Sequence, residues 1–168
     1  MKKIIIPGLI ILMAAVMRFL PHLPNMAPIA AMALFGGVYF NKKYALLVPI
    51  LVMFLSDIFL GFHNTIPFVY GSFLLTGIIG IILKKHNNFK WIAGGTLLSS
   101  ILFFIITNFG VWMVSGMYVK NFLGLQQCFV MALPFFRNTI VGDLVYSGMF
   151  FGGYEVMLRL NKKVVAKI

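Results

Sequence analysis

Acidic residues are almost missing from this chain, with three Asp and Glu against fourteen Lys and Arg among 168 residues. Charged residues of either sign make up only 10% of the sequence, where soluble domains carry roughly 25%. The single cysteine, Cys128, excludes an intramolecular disulfide and any Cys-x-x-Cys metal site. With three His and three acids, a closed zinc site is not expected either. No serine sits in a Gly-x-Ser-x-Gly elbow and no His-Glu-x-x-His occurs, so two common catalytic signatures are missing. The opening MKKIIIPGLIILMAAV resembles the start of a signal peptide, but no Ala-x-Ala cleavage site follows before Arg18. A retained first helix is therefore expected. Soluble domain, linker, low-complexity tract and convincing internal repeat are all lacking.

What fills the chain is apolar. Hydrophobic residues reach 61% and mean hydropathy is +1.01, the composition of an integral membrane protein. A net charge of +11 would suit nucleic acid, but the cations cluster at the ends of apolar runs and no basic amphipathic helix is present. Membrane lipid, and no nucleic acid, is the expected surrounding. A span needs about 20 mostly apolar residues. Six segments are candidates: residues 4–20, 27–40, 44–62, 67–83, 91–107 and 139–160. The expected fold is all-α, a single-domain bundle of six transmembrane helices. The second segment is short, but its small residues Ala27, Ala30, Ala31, Ala33, Gly36 and Gly37 permit close helix contact. Residues 108–138 contain Gln126, Gln127 and Pro134 within a short apolar run. They read as an interfacial or re-entrant segment capping the outer face.

Charge sets the orientation. Six spans with the N-terminus inside leave eleven cations within (Lys2, Lys3, Lys42, Lys43, Lys84, Lys85, Lys90, Arg159, Lys162, Lys163, Lys167) and three outside (Arg18, Lys120, Arg137). That bias predicts cytoplasmic N- and C-termini in a multi-pass protein of the cell (inner) membrane. Polar residues then collect at the outer end. Asp57 and Asp143 each lie about four residues, or roughly 6 Å, inside the outer ends of their segments. Ionisable groups in apolar spans cost about 2.5–3.5 kcal/mol on insertion scales and mark functional sites. Arg18, His22, Asn25, Asp57, His63, Asn108, Trp112, Arg137 and Asp143 are the expected lining of an outward-facing substrate pocket.

Other readings of the same residues stay open. Asp57–Arg18 and Asp143–Arg137 also suit structural ion pairs. Asp57 with Asp143 would make a membrane aspartyl dyad if they faced each other, the enzyme alternative to a non-enzymatic binder. A ligand-free assembly protein is the third reading. His22 and His63 are possible metal ligands or plain interface residues, and Cys128 is a small packing residue. Trp91, Trp112, Tyr39 and Tyr44 sit where an aromatic belt would anchor the helices. Glu155 and Arg159 form an i,i+4 pair.

The segments NMAPIAAMALFGG, SDIFLGFH, FFIITNFGVW and PFFRNTIVGDL resemble a group of short bacterial membrane proteins of unknown function. That group is similar to the substrate-binding (S) components of energy-coupling factor vitamin transporters, the cobalamin type in particular. The resemblance implies capture of a vitamin-like micronutrient from outside and its transport inward, with an energy-coupling scaffold protein and ATPase module as partners. It also implies a corrinoid near Asp57, with His22 or His63 beside the cobalt. Residues 4–20 lack the Ala-x-x-x-Ala face that the first helix of such components often carries, and no cysteine lies near Tyr70 to ligate cobalt.

Overall fold

A computed structural model describes the backbone of residues 2–21, 23–86 and 88–165, and side chains within 7–160 apart from positions 22 and 87. Six helices follow one another: α1 (Lys2–Met17), α2 (Ile29–Tyr39), α3 (Lys42–Leu60), α4 (Ile66–Leu83), α5 (Phe89–Val114) and α6 (Phe122–Val165). No strand occurs among the described residues, so the chain is all-α. Four helices, α3, α4, α5 and the Phe122–Leu160 part of α6, are long and apolar enough to cross a membrane. Their outward faces carry Leu51, Phe54, Leu55, Phe59, Ile82 and Leu98, all exposed. Such a surface is stable against lipid rather than water.

The shortest described helix is the centre of the bundle. Every residue from 29 to 38 of α2 is buried, and α2 packs against all five other helices. Its alanines and glycines make this possible by letting neighbouring backbones come close. A Cβ on Gly37 would lie 2.5 Å from the Gly77 carbonyl oxygen and 2.6 Å from Gly80 Cα on α4, so the two helices touch backbone to backbone. At the other flank Phe35 anchors an aromatic cluster, its ring centroid 5.2 Å from Phe151, 5.7 Å from Tyr154 and 4.6 Å from Tyr39.

The structure corrects the reading of residues 108–138. Residues 108–114 continue α5, and from Phe122 the chain is helical without interruption to Val165, through Pro134. Only residues 115–121 are non-helical. Asn121 starts α6, its side-chain oxygen accepting from Gly124 N at 2.8 Å. The glutamines do not break the helix because both are exposed, while Cys128 and Ala132 turn inward. At 44 residues α6 is about 66 Å long, roughly twice the hydrocarbon thickness of a bilayer. Asp143 therefore lies 21 residues after the start of its helix, not near its end.

Polar side chains inside the bundle satisfy one another. Ser72, Thr76, Thr96 and Ser99 each donate to a carbonyl three or four residues back on their own helix, and Thr96 reaches Ser147 across α5 and α6 at 3.1 Å. The fold is also polarised end to end. Lys42 and Lys43 open α3, Lys84 and Lys85 follow α4, and Lys90 opens α5. The opposite end holds the turn after α1, the α3–α4 connection and the loop between α5 and α6.

Candidate ligand cavity

The cavity originates in the shortness of α2. Its 11 residues extend about 16 Å, against about 27 Å or more for each of α3 to α6, and Ile29 and Ala30 at its start form part of the floor of a space above it. That space measures about 690 Å³ and is lined by five segments around α2: the turn after α1, then α3, α4, α5 and α6. Pro24, Asn25, Leu60, His63 and Met117 are exposed at its mouth, whereas Met53, Phe73 and Asp143 are buried at its depth. It is an open funnel with an exposed rim and a mostly apolar, buried depth.

One wall is built on an ion pair. Three tight turns, from Arg18, Phe19 and Leu20 back to Ala15, Val16 and Met17, close α1 and turn the Arg18 side chain toward α3. Its guanidinium donates to the Met53 carbonyl at 3.1 Å, to Ser56 Oγ, and to Asp57 Oδ1 at 2.5 Å. The Tyr70 hydroxyl donates to the other oxygen, Oδ2, at 2.6 Å. Exposure is 12% for the Arg18 side chain and 1% for that of Asp57. Arg18 lines the cavity while Asp57 stands behind it, both of its oxygens engaged. The expected Arg18–Asp57 pair is thus present, and it binds α1, α3 and α4 together.

Asp143 on α6 has a different environment. The Ser100 hydroxyl of α5 lies 2.7 Å from its Oδ2, the residue is 3% exposed, and it lines the cavity. The alternative Asp143–Arg137 pair does not form. Six residues of helix separate the two by about 600°, which leaves Arg137 roughly 120° round the helix from Asp143. Arg137 is exposed there and has no ion pair among the described residues. Nor do the two acids share a hydrogen bond: Asp57 is held by Arg18 and Tyr70, Asp143 by Ser100.

Of the nine residues expected at a pocket, Arg18, Asn25, His63, Asn108 and Asp143 line this one. His22 lies outside the described residues. Asn25 adopts a left-handed conformation with φ 59°, and the Asn138 side chain ties this turn to α6 by donating to the Pro24 carbonyl at 3.2 Å. His63 Nδ1 is 2.8 Å from Thr65 Oγ1 at the rim. Trp112 is a brace rather than a lining residue. Its indole N–H donates to the Val119 carbonyl at 3.0 Å, and Lys120 both donates to the Trp112 carbonyl and lies 5.5 Å from its ring centre. These contacts hold the 115–121 loop so that Met117 and Tyr118 enter the cavity. Sequence reasoning missed both, and it missed the wall of Met131, Ala132, Phe135 and Thr139 on α6. The spacing of those last four, with Cys128 before and Asp143 after, is a helical stripe and was the available signal. Among the described residues no three His, Cys, Asp or Glu side chains gather as a metal site.

A family model described as a family of unknown function (DUF6580) matches residues 1–166, and the chain belongs to that family. No curated protein and no solved structure matches the chain.

Proposed function

We propose that this member of the family is a membrane-embedded component that binds a small organic molecule of vitamin-like size and takes it up. The cavity carries the reading. Its volume of about 690 Å³ falls within the roughly 300–1,000 Å³ of small-molecule sites. Its walls combine Met53, Phe73, Phe103 and Phe135 with a few polar groups, Arg18, Asn108 and Asp143. Such a space in a membrane bundle costs packing energy, because its lining forgoes the contacts a filled core would make. A ligand that fills it offsets that loss.

Direction follows from charge. The lysine-rich end of the bundle faces the cytoplasm under the positive-inside rule, which turns the cavity mouth outward and leaves both termini on the cytoplasmic side. All six helices traverse in this reading, with α2 reaching only part of the way and the connection before it completing the crossing. The reading rests on the cavity, and not on the likeness to energy-coupling S components. A corrinoid ligand and an ATPase module form no part of it.

Thermal unfolding of the purified chain in detergent, with and without a panel of vitamin-sized compounds, tests this. At a hundredfold excess over its Kd a true ligand stabilises the protein by about 2.7 kcal/mol. At least one compound is expected to raise the unfolding temperature of the natural protein. The same compound should have no effect on Ala132→Trp, whose indole would fill the cavity beside α5. Equal stabilisation of both proteins would place binding elsewhere and sink the proposal.

A further inference from the structure

We propose that the ligand of this cavity is an organic monocation, an ammonium or amidinium group on an apolar body, whose charge pairs with Asp143. The inference rests on the binding reading above and names its substrate class. The first observation is one oxygen of a buried carboxyl. Asp143 Oδ2 meets Ser100, but Oδ1 has no hydrogen-bond partner among the described residues. No fully buried side-chain nitrogen or oxygen among the described residues lacks a partner. Oδ1 is therefore not sealed inside the protein, and the cavity is the open space that Asp143 lines.

The second observation is that no cation among the described residues forms an ion pair with Asp143. Arg18 lines the same cavity, but its two terminal nitrogens are directed at Met53, Ser56 and Asp57 on α3. Arg18 and Asp57 cancel as a pair, leaving Asp143 as a cavity-lining carboxyl with no cation partner among the described residues. Arg137 is on another face, and Lys120 at the rim is held by Trp112. His63 at the mouth is engaged with Thr65. Burial of a carboxyl without a cation disfavours its ionised form, and a ligand that supplies the cation stabilises the carboxylate.

The third observation is placement. Cys128, Ala132, Phe135, Thr139 and Asp143 form one stripe along α6, about 22 Å from first to last. Asp143 stands at its deep end, and the aromatic and methionine side chains lie between it and the rim. A ligand that lodges here puts its cationic group in first and lays an apolar body along the stripe.

The test uses three compounds with one body and three charges: 4-phenylbutylammonium, 4-phenylbutanol and 4-phenylbutyrate. Their binding to the full chain in detergent micelles is measured by calorimetry, with Ala132→Trp as the background for partition into micelles. The ammonium compound is expected to bind roughly thirtyfold more tightly than the alcohol, and the carboxylate more weakly than either. Asp143→Asn keeps an acceptor for Ser100 and should bring the ammonium compound to the affinity of the alcohol. Ser100→Ala leaves the charge but frees its orientation, and should weaken the ammonium compound about fivefold. If the alcohol or carboxylate binds as tightly as the ammonium, and Ala132→Trp abolishes both, the cation claim is overturned while the cavity stands as a binding site. A preference for the ammonium that survives Asp143→Asn also overturns it. Binding of no compound above background overturns both the cation claim and the binding reading. The charge series on the natural protein decides the matter even where Asp143→Asn fails to fold.

Discussion

Asp57→Ala destabilises the bundle by about 3–5 kcal/mol, the cost of leaving a buried cation without its partner. The Arg18 side chain is 12% exposed, and its guanidinium would keep only the Met53 carbonyl and Ser56 as acceptors. Tyr70 would lose the oxygen that its hydroxyl meets at 2.6 Å. Both losses fall where α1, α3 and α4 are joined, so the effect is on assembly and not on one helix. For a chain of this size the loss lowers the unfolding temperature by roughly 6–20 °C. Arg18→Met alone should cost a similar amount, because it leaves Asp57 charged at 1% exposure. The double variant Arg18→Met with Asp57→Leu is expected to recover most of the stability, since an apolar pair of similar volume replaces an ion pair without leaving a charge. Thermal unfolding of the natural chain, Arg18→Met, Asp57→Leu and the double variant in one detergent gives the coupling. Additive losses in the double variant would show that the pair acts through something other than charge compensation.

Gly37→Ala and Gly80→Ala are expected to unseat α2 from α4, at a cost of about 3 kcal/mol or more. A methyl group at Gly37 would lie 2.5 Å from the Gly77 carbonyl oxygen and 2.6 Å from Gly80 Cα, and one at Gly80 would meet the Leu34 carbonyl oxygen and lie 2.8 Å from Gly37 Cα. The obstructing atoms are backbone, which cannot rotate aside as a side chain can. Separating the helices would disturb every contact of α2, since all five other helices pack on it. Gly94→Ala is the control. Nothing lies within 4 Å of a methyl group there, and alanine gains up to about 1 kcal/mol of helix propensity over glycine. Protease resistance in detergent distinguishes the two classes: the α2 and α4 variants should be cleaved faster than the natural chain, and Gly94→Ala no faster.

How much of this was legible in the sequence depended on which force decided each element. Five of the six helices stand close to their expected segments: four because 17–25 apolar residues leave few alternatives, and the short α2 because its run of small and apolar residues is bounded by Pro28 and Asn41. The Arg18–Asp57 pair was legible too, since two opposite charges near the same end of adjacent segments have strong reason to meet. α6 was misread from Phe122 to Asn138 because Gln126, Gln127 and Pro134 look like interruptions. In the fold the glutamines face outward, and a helix with packed neighbours tolerates a proline. The supposed Asp143–Arg137 pair failed on helical phase, a test the sequence permits once the helix is known to be continuous. Trp112 was named for the pocket, but its bracing role and the entry of Met117 and Tyr118 were not legible, because the 115–121 loop is held by contacts of Trp112 with Val119 and Lys120 that no periodicity announces. The cavity itself was half legible. The shortness of the second segment was visible, but that a short central helix leaves room above its start follows only from its burial on all sides.

Mass spectrometry of the intact protein, released gently from its own membranes, tests the central claim most directly. The account predicts an adduct of one defined mass on the natural chain and none on Ala132→Trp. A bare chain in both samples, or the same adduct on both, would contradict it.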